Sequence, residues 1–221
     1  MTYIENIYLC LAIPLLFSLL FSRERERVFV FFLLVGMTTC LLVAYVSGFF
    51  MRYYGTDEIV AAVEITPVCE EVLKLAALLF YYLVWEPKPE RLPCAAIAIA
   101  VGFATFENVC YLTENGAADV KYVLIRGISA GAVHILCGIA IGFGLSRVFT
   151  KKWLALTGCV GILGVSIVLH AIYNLLISAS GPWQIAGYVF PAAAIGIVWV
   201  STQLYNRRKK REMGVKNGIY Q

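Results

Sequence analysis

The sequence predicts an all-α fold: a polytopic membrane helical bundle of about seven transmembrane helices, N-terminus outside and C-terminus cytoplasmic. Three observations predict it. Of 221 residues, 61% are apolar and only 14% charged, far from the roughly 45–50% and about 25% of a soluble domain. Apolar runs of about 20 residues, the length that spans a hydrocarbon core, recur seven times. Lysine and arginine crowd the connections on one side of those runs, as the positive-inside rule requires of the cytoplasmic face.

Taken in order, the first span, Ile4–Phe21, lacks the basic leader and small-residue cleavage site of a signal peptide, so it reads as a retained helix. Val28–Met51 follows a basic turn of Arg23, Arg25 and Arg27. Ile59–Trp85 is apolar but interrupted by Glu64, Glu70, Glu71 and Lys74, and Pro67 removes a backbone hydrogen bond and clashes with the Val63 carbonyl. A bent or opened helix is expected there. Cys94–Leu112, Val123–Phe149, Trp153–Ser178 and Trp183–Tyr205 complete the set. Fourteen of the 18 lysines and arginines follow spans one, three, five and seven, including Lys88, Arg91, Arg147, Lys151, Lys152 and the cluster from Arg207 to Lys216. Only Arg52, Lys121 and Arg126 stand on the other side.

Connections are short and no linker composition appears, so residues 1–206 read as a single transmembrane domain and 207–221 as a basic cytoplasmic tail. The chain is placed in a cell membrane, with the lipid bilayer as partner. The tail is a solvated stop-transfer segment touching anionic lipid. No nucleic-acid partner is expected, because the net charge of +4 comes from short clusters at helix ends. Seven cysteines without C-x-x-C spacing read as small packing residues. The glycines Gly127, Gly131, Gly138, Gly142, Gly158, Gly161 and Gly164 read as close-approach positions between helices.

Ionisable groups inside spans cost several kcal/mol, so Glu64, Glu70, Glu71, Lys74, Glu107, His134 and His170 each require a reason. Residues four apart share a helix face, which pairs Glu70 with Lys74, Phe103 with Glu107, and His170 with Asn174. Glu71 points about 100° away from Glu70, which separates the roles of the two carboxylates. At about 1.5 Å per residue, Glu70 and His134 lie about 16 Å, His170 about 12 Å and Glu107 about 8 Å below the outer ends of their spans. A shared cavity in the outer half of the membrane follows. Each residue also has a bland reading: Glu70 and Lys74 as a structural ion pair, Glu71 as an orienting hydrogen-bond partner, Glu107-Asn108 as a polar junction, His134 as a satisfied core histidine. Glu64 reads as lining or capping.

Four motifs then stand in order: Glu70-Glu71-Val72-Leu73-Lys74 as E-E-x-x-K, Phe103 to Asn108 as F-x-x-x-E-N, His134 to Gly138 as H-x-x-x-G, and His170 to Asn174 as H-x-x-x-N. In this the chain resembles the PrsW family of bacterial intramembrane proteases, distantly similar to CAAX prenyl endopeptidases and Abi membrane proteins. The resemblance implies a transmembrane protease domain in a bacterial cell membrane that makes the first, extracytoplasmic cut in a membrane-spanning anti-sigma factor, within a stress response. It implies a catalytic set of Glu70, Glu71, Lys74, Glu107, Asn108, His134, His170 and Asn174. Within it, Glu70 is the general base, and His170 with Asn174 stabilises the oxyanion. Many Abi-type relatives carry His where this chain has Glu107, which leaves open which group shares activation of the water with Glu70.

Three readings compete. The preferred one is a glutamate peptidase without a cofactor. The alternative keeps the peptidase and binds zinc through Glu70, Glu107, His134 and His170. A proton- or cation-coupled transporter is the third, since carboxylates at depth and a broken helix suit that role too.

Overall fold

A computed structural model describes residues 3–216. Its helices are α1 (Ile4–Phe21), α2 (Glu24–Tyr54), the single turn α3 (Glu58–Val60), α4 (Thr66–Trp85), α5 (Leu92–Asn115), α6 (Val120–Val148), α7 (Ala155–Ser178) and α8 (Pro182–Lys216). A wide π-type turn, Ala61–Ile65, joins α3 to α4. No strand occurs among the described residues. Each of the seven expected spans falls on helix, with ends moved by a few residues except in the last, which runs on to Lys216; the third is divided among α3, the π turn and α4. Six helices are long and apolar enough to cross a membrane. The exception is α4, whose 20 residues include Glu70, Glu71 and Lys74.

The polarity of the bundle is that of a protein dissolved in lipid. Large apolar side chains such as Phe21, Leu20, Phe80 and Leu156 face outward, while Glu70, Glu71, Lys74, His134 and His170 are buried. The protein is a multi-pass helical membrane protein. Beyond Asn206, where a separate tail was expected, α8 continues as helix to Lys216. Arginine and lysine are good helix formers, and neither proline nor glycine intervenes before Gly214. The last residues of that tail, 217–221, lie outside the described residues.

In lipid, helices associate through close packing, which small residues permit. The tightest crossing is α2 on α5: a β-carbon on Gly36 would lie 2.0 Å from the Ile99 carbonyl oxygen, and one on Gly102 would lie 1.9 Å from that of Leu33. Neither glycine was singled out in the sequence. Of those that were, Gly138 and Gly142 meet α5 and Gly158 meets Val148, whereas Gly127, Gly131, Gly161 and Gly164 face open space. Glycine content alone does not separate a packed face from an open one.

The opened turn before α4 appears where Pro67 predicts it. In the π register Thr66 N–H donates to the Ala61 carbonyl, five residues back. The next such bond would run from residue 67 to Ala62, but proline has no N–H. The Ala62 carbonyl is thereby released, and the Asn174 side-chain amide on α7 donates to it at 2.8 Å. One proline therefore opens the helix, and one asparagine 112 residues away in sequence closes the account of its polar groups.

Candidate active site

Directly after the opened turn, α4 carries Glu70, Glu71 and Lys74 into the centre of the bundle. There they meet His134 of α6 and His170 of α7. One donor atom from each of Glu70, Glu71, His134 and His170 lies within 4.8 Å of the others, and all four residues are buried. The two imidazoles meet edge to face, with ring centroids 4.9 Å apart.

Glu71, 0% exposed, is the hub. Its Oε1 accepts from Lys74 Nζ at 2.6 Å and from His170 Nδ1 at 2.9 Å, while its Oε2 has no hydrogen-bond partner. Lys74 Nζ also donates to His134 Nδ1 at 3.2 Å and sits 4.5 Å from the centroid of the Phe103 ring. An ammonium can only donate, so Nδ1 of His134 offers its lone pair inward and Nε2 carries the hydrogen. That hydrogen goes to Glu107 Oε2 at 2.8 Å. By the same reasoning His170 donates through Nδ1 to the Glu71 carboxylate. Glu70 Oε2 stands 3.6 Å from His170 Nδ1, 3.8 Å from His134 Nδ1 and 3.9 Å from Lys74 Nζ, with no hydrogen-bond partner of its own.

The eight residues singled out in the sequence thus take distinct positions. Glu70, Glu71, Lys74, His134 and His170 form the centre. Glu107, a metal ligand in the zinc reading, stands one step behind His134 on its far nitrogen, and Glu71 takes its place in the inner group. Asn174 has one amide hydrogen committed to the Ala62 carbonyl. Asn108 lies beside Glu107, its Oδ1 buried without a partner. Glu64 is exposed and takes no part.

Sequence reasoning missed Arg126, which the charge count assigns to the outer side without a role in the site. It lies within α6, with Nη2 3.3 Å from Glu107 Oε1 and its guanidinium carbon 3.4 Å from the centroid of the Tyr111 ring. Its position six residues into an apolar helix, two turns before His134, was the available signal. Also missed was the Tyr173 hydroxyl, which donates to Ser129 Oγ at 3.1 Å; Ser129 in turn donates to the Ile125 carbonyl. That bond ties α7 to α6 one turn from the site.

The donor set can hold a cation. Two carboxylates and two imidazoles match the ligands that zinc takes, His134 through its Nδ1 lone pair and His170 through Nδ1 once its hydrogen has moved to Nε2. The structure already directs positive charge to this point, because the lone pairs of Glu71 Oε1 and His134 Nδ1 converge on the Lys74 ammonium. Unpartnered buried oxygens on Glu70 and Glu71 leave further donor capacity.

Protease PrsW of Bacillus subtilis (strain 168) is 32% identical over 92 residues, covering 39% of this chain and 38% of that protein. Protease PrsW of Oceanobacillus iheyensis is 28% identical over 127 residues, covering 55% and 53%. Protease PrsW of Geobacillus kaustophilus (strain HTA426) is 24% identical over 178 residues, 72% of each chain. The chain thus spans about two fifths to about half the length of the first two relatives in these matches. No solved structure matches. The family profile describes intramembrane metalloproteases, which agrees with a metal-dependent peptidase rather than the cofactor-free reading preferred from the sequence. That profile extends over residues 24–201, from the start of α2 into α8 and across the whole buried Glu/His centre, and the chain belongs to the PrsW family of intramembrane metalloproteases.

Proposed function

We propose that this chain is an intramembrane endopeptidase that hydrolyses a peptide bond of a membrane-spanning protein near its extracytoplasmic face. The observation that carries the reading is the gathering of two carboxylates and two imidazoles, buried and within 4.8 Å, beside an opened helix turn. Groups so costly to bury, from three different helices, are what hydrolysis in a low-dielectric site uses.

Glu71, His134 and His170 would hold a divalent cation, zinc by its ligand preferences. When bound, it supplies Lewis acidity that polarises the scissile carbonyl and acidifies water. Glu70, whose Oε2 has no partner, takes the proton from water as the water oxygen attacks the carbonyl carbon. When the C–N bond breaks, Glu70 returns that proton to the leaving amine. Lys74 pairs with Glu71 until the cation takes that place, and would then offset the charge of Glu70. Glu107 holds His134 in the tautomer whose Nδ1 lone pair faces the centre, the usual role of a carboxylate behind a ligating imidazole. Asn174 keeps the turn before α4 open through its bond to the Ala62 carbonyl, and its second amide hydrogen would serve a developing oxyanion.

Two further observations support the extracytoplasmic side. Glu107 is eight residues from the end of α5 and His170 eight from the end of α7, both ends that the basic-residue asymmetry assigns to the outside. Residues 1–206 would act as one transmembrane unit, with the basic tail in the cytoplasm. An anti-sigma factor with a single span is the substrate class that the family resemblance implies.

The test uses the purified protein reconstituted with such a substrate, the cut mapped by mass spectrometry and metal measured by elemental analysis. Wild type cleaves near the outer face and loses activity to a chelator, with recovery on zinc. Glu70→Gln retains the metal and does not cleave; Glu71→Gln loses the metal. Wild-type cleavage by Glu70→Gln, or undiminished metal in Glu71→Gln, refutes these roles. Full activity after exhaustive chelation restores the cofactor-free peptidase.

A further inference from the structure

Between the C-terminal part of α5 and the N-terminal part of α6 lies a pocket of about 130 Å³ lined by Asn108, Leu112, Val123, Arg126 and Gly127. Its polar atoms are unsatisfied: Asn108 Oδ1 and the Nε and Nη2 of Arg126 are buried without hydrogen-bond partners. The ion pair of Arg126 with Glu107 runs through Nη2, 3.3 Å from Oε1, and leaves Nε as the donor with no acceptor; the side chain is only 12% exposed. An acceptor and a donor set in one pocket are complementary to a peptide unit, which offers one N–H and one C=O. Orphaned groups of this kind are costly to maintain without a ligand to meet them.

A second observation gives the pocket a direction. On α6, Gly127, Gly131 and His134 fall at i, i+4 and i+7 and share one face. A β-carbon at Gly127 or Gly131 would meet nothing within 4 Å, in contrast to Gly138 and Gly142, which are pressed against α5. Glycine in a helix interior costs about 1 kcal/mol relative to alanine, and here no neighbouring helix requires it. The bare strip runs from the pocket to the catalytic histidine.

Resting on the peptidase reading above, we propose that this strip seats an extended, unwound stretch of the substrate's main chain. Asn108 Oδ1 accepts one peptide N–H, and Arg126 donates to a peptide carbonyl. The neighbouring backbone then passes over Gly127 and Gly131 toward the centre. The site thereby selects a segment whose own helix is already open, since a helical substrate has no main-chain groups to offer. Asn108 and Arg126 are positioning residues, and the ligand class is an extended polypeptide without required side chains.

The test is a backbone-ester scan of the reconstituted substrate, prepared by ligation, with one N–H at a time replaced by oxygen on the outer side of the scissile bond. Wild type shows one position where the ester raises KM about tenfold while kcat holds, the loss of one hydrogen bond. In Asn108→Ala the all-amide substrate shows the same rise and the ester adds nothing further. The second arm is Gly131→Leu, which fills open space and leaves thermal stability at or above wild type. It raises KM at least tenfold, and in the Glu70→Gln background it weakens peptide binding by a similar factor. Cleavage with no ester-sensitive position, an ester penalty unchanged in Asn108→Ala, or wild-type KM in Gly131→Leu overturns the inference alone. Failure of wild type to cleave any amide substrate overturns the peptidase reading and this inference with it.

Discussion

Lys74 holds the centre together electrostatically, and its removal is the sharpest test of that arrangement. Its ammonium sits 2.6 Å from Glu71 Oε1 and 3.9 Å from Glu70 Oε2, with the three side chains 5%, 0% and 3% exposed. Lys74→Met leaves two buried carboxylates without their cation, a change that costs about 3–5 kcal/mol when one partner of a buried pair is deleted. Glu71→Gln alone is milder, because Glu70 remains near the ammonium; a cost of about 2–3 kcal/mol is expected. The double variant Lys74→Met/Glu71→Gln removes both charges and costs at least about 2 kcal/mol less than the sum of the singles. Equilibrium unfolding in mixed micelles, with chelator present so that no metal replaces the lysine, measures all four corners of the cycle. Zinc added to Lys74→Met restores part of its stability, because a divalent cation occupies the same convergence of lone pairs. Additivity within about 0.5 kcal/mol refutes the buried pair, and the absence of a zinc effect refutes the shared cation position.

Three other outcomes follow from the geometry. Gly102→Ala drives a β-carbon against the Leu33 carbonyl 1.9 Å away, so α2 and α5 must separate; a loss of about 2 kcal/mol or more is expected in the same unfolding assay, with Gly164→Ala, which faces open space, as the neutral control. Asn174→Ala leaves the Ala62 carbonyl without its donor and costs about 1–2 kcal/mol. Hydrogen exchange at residues 61–66 should rise with it, and unchanged protection there would count against the clamp. Glu107→Gln breaks the ion pair with Arg126 and frees the His134 ring to adopt the other tautomer. Metal affinity should fall roughly 10–100-fold, the range for loss of a carboxylate behind a ligating histidine, and titration with a competing chelator reads it directly.

Much of the fold was legible because the bilayer imposes a simple rule. Each apolar run must be long enough to cross and must satisfy its backbone internally, so the seven spans could be placed to within a few residues. Pro67 marked the one opened turn, because a missing N–H is a local property of the chain. The list of site residues was legible for the converse reason: a carboxylate or imidazole in hydrocarbon needs partners, and the sequence offers few. Arg126 escaped because a charge near a helix end can reach the interface or turn inward, and only its contact with Glu107 and Tyr111 distinguishes the two. Gly36 and Gly102 escaped because a crossing point depends on how two helices meet, not on either helix alone.

By itself, then, the sequence determined that this chain lives in a membrane, where its apolar helices run, and which polar residues must find one another. Those follow from transfer energies and hydrogen-bond demands that act residue by residue. Tertiary structure alone decided their roles: that Glu71 rather than Glu107 faces both histidines, that Glu107 stands behind His134, and that Asn174 tends the turn opened by Pro67. The deciding contacts join residues from 27 to 112 positions apart. A change of a few tens of degrees in the rotation of α5 or α7 about its axis would exchange those partners while leaving every apolar run unaltered.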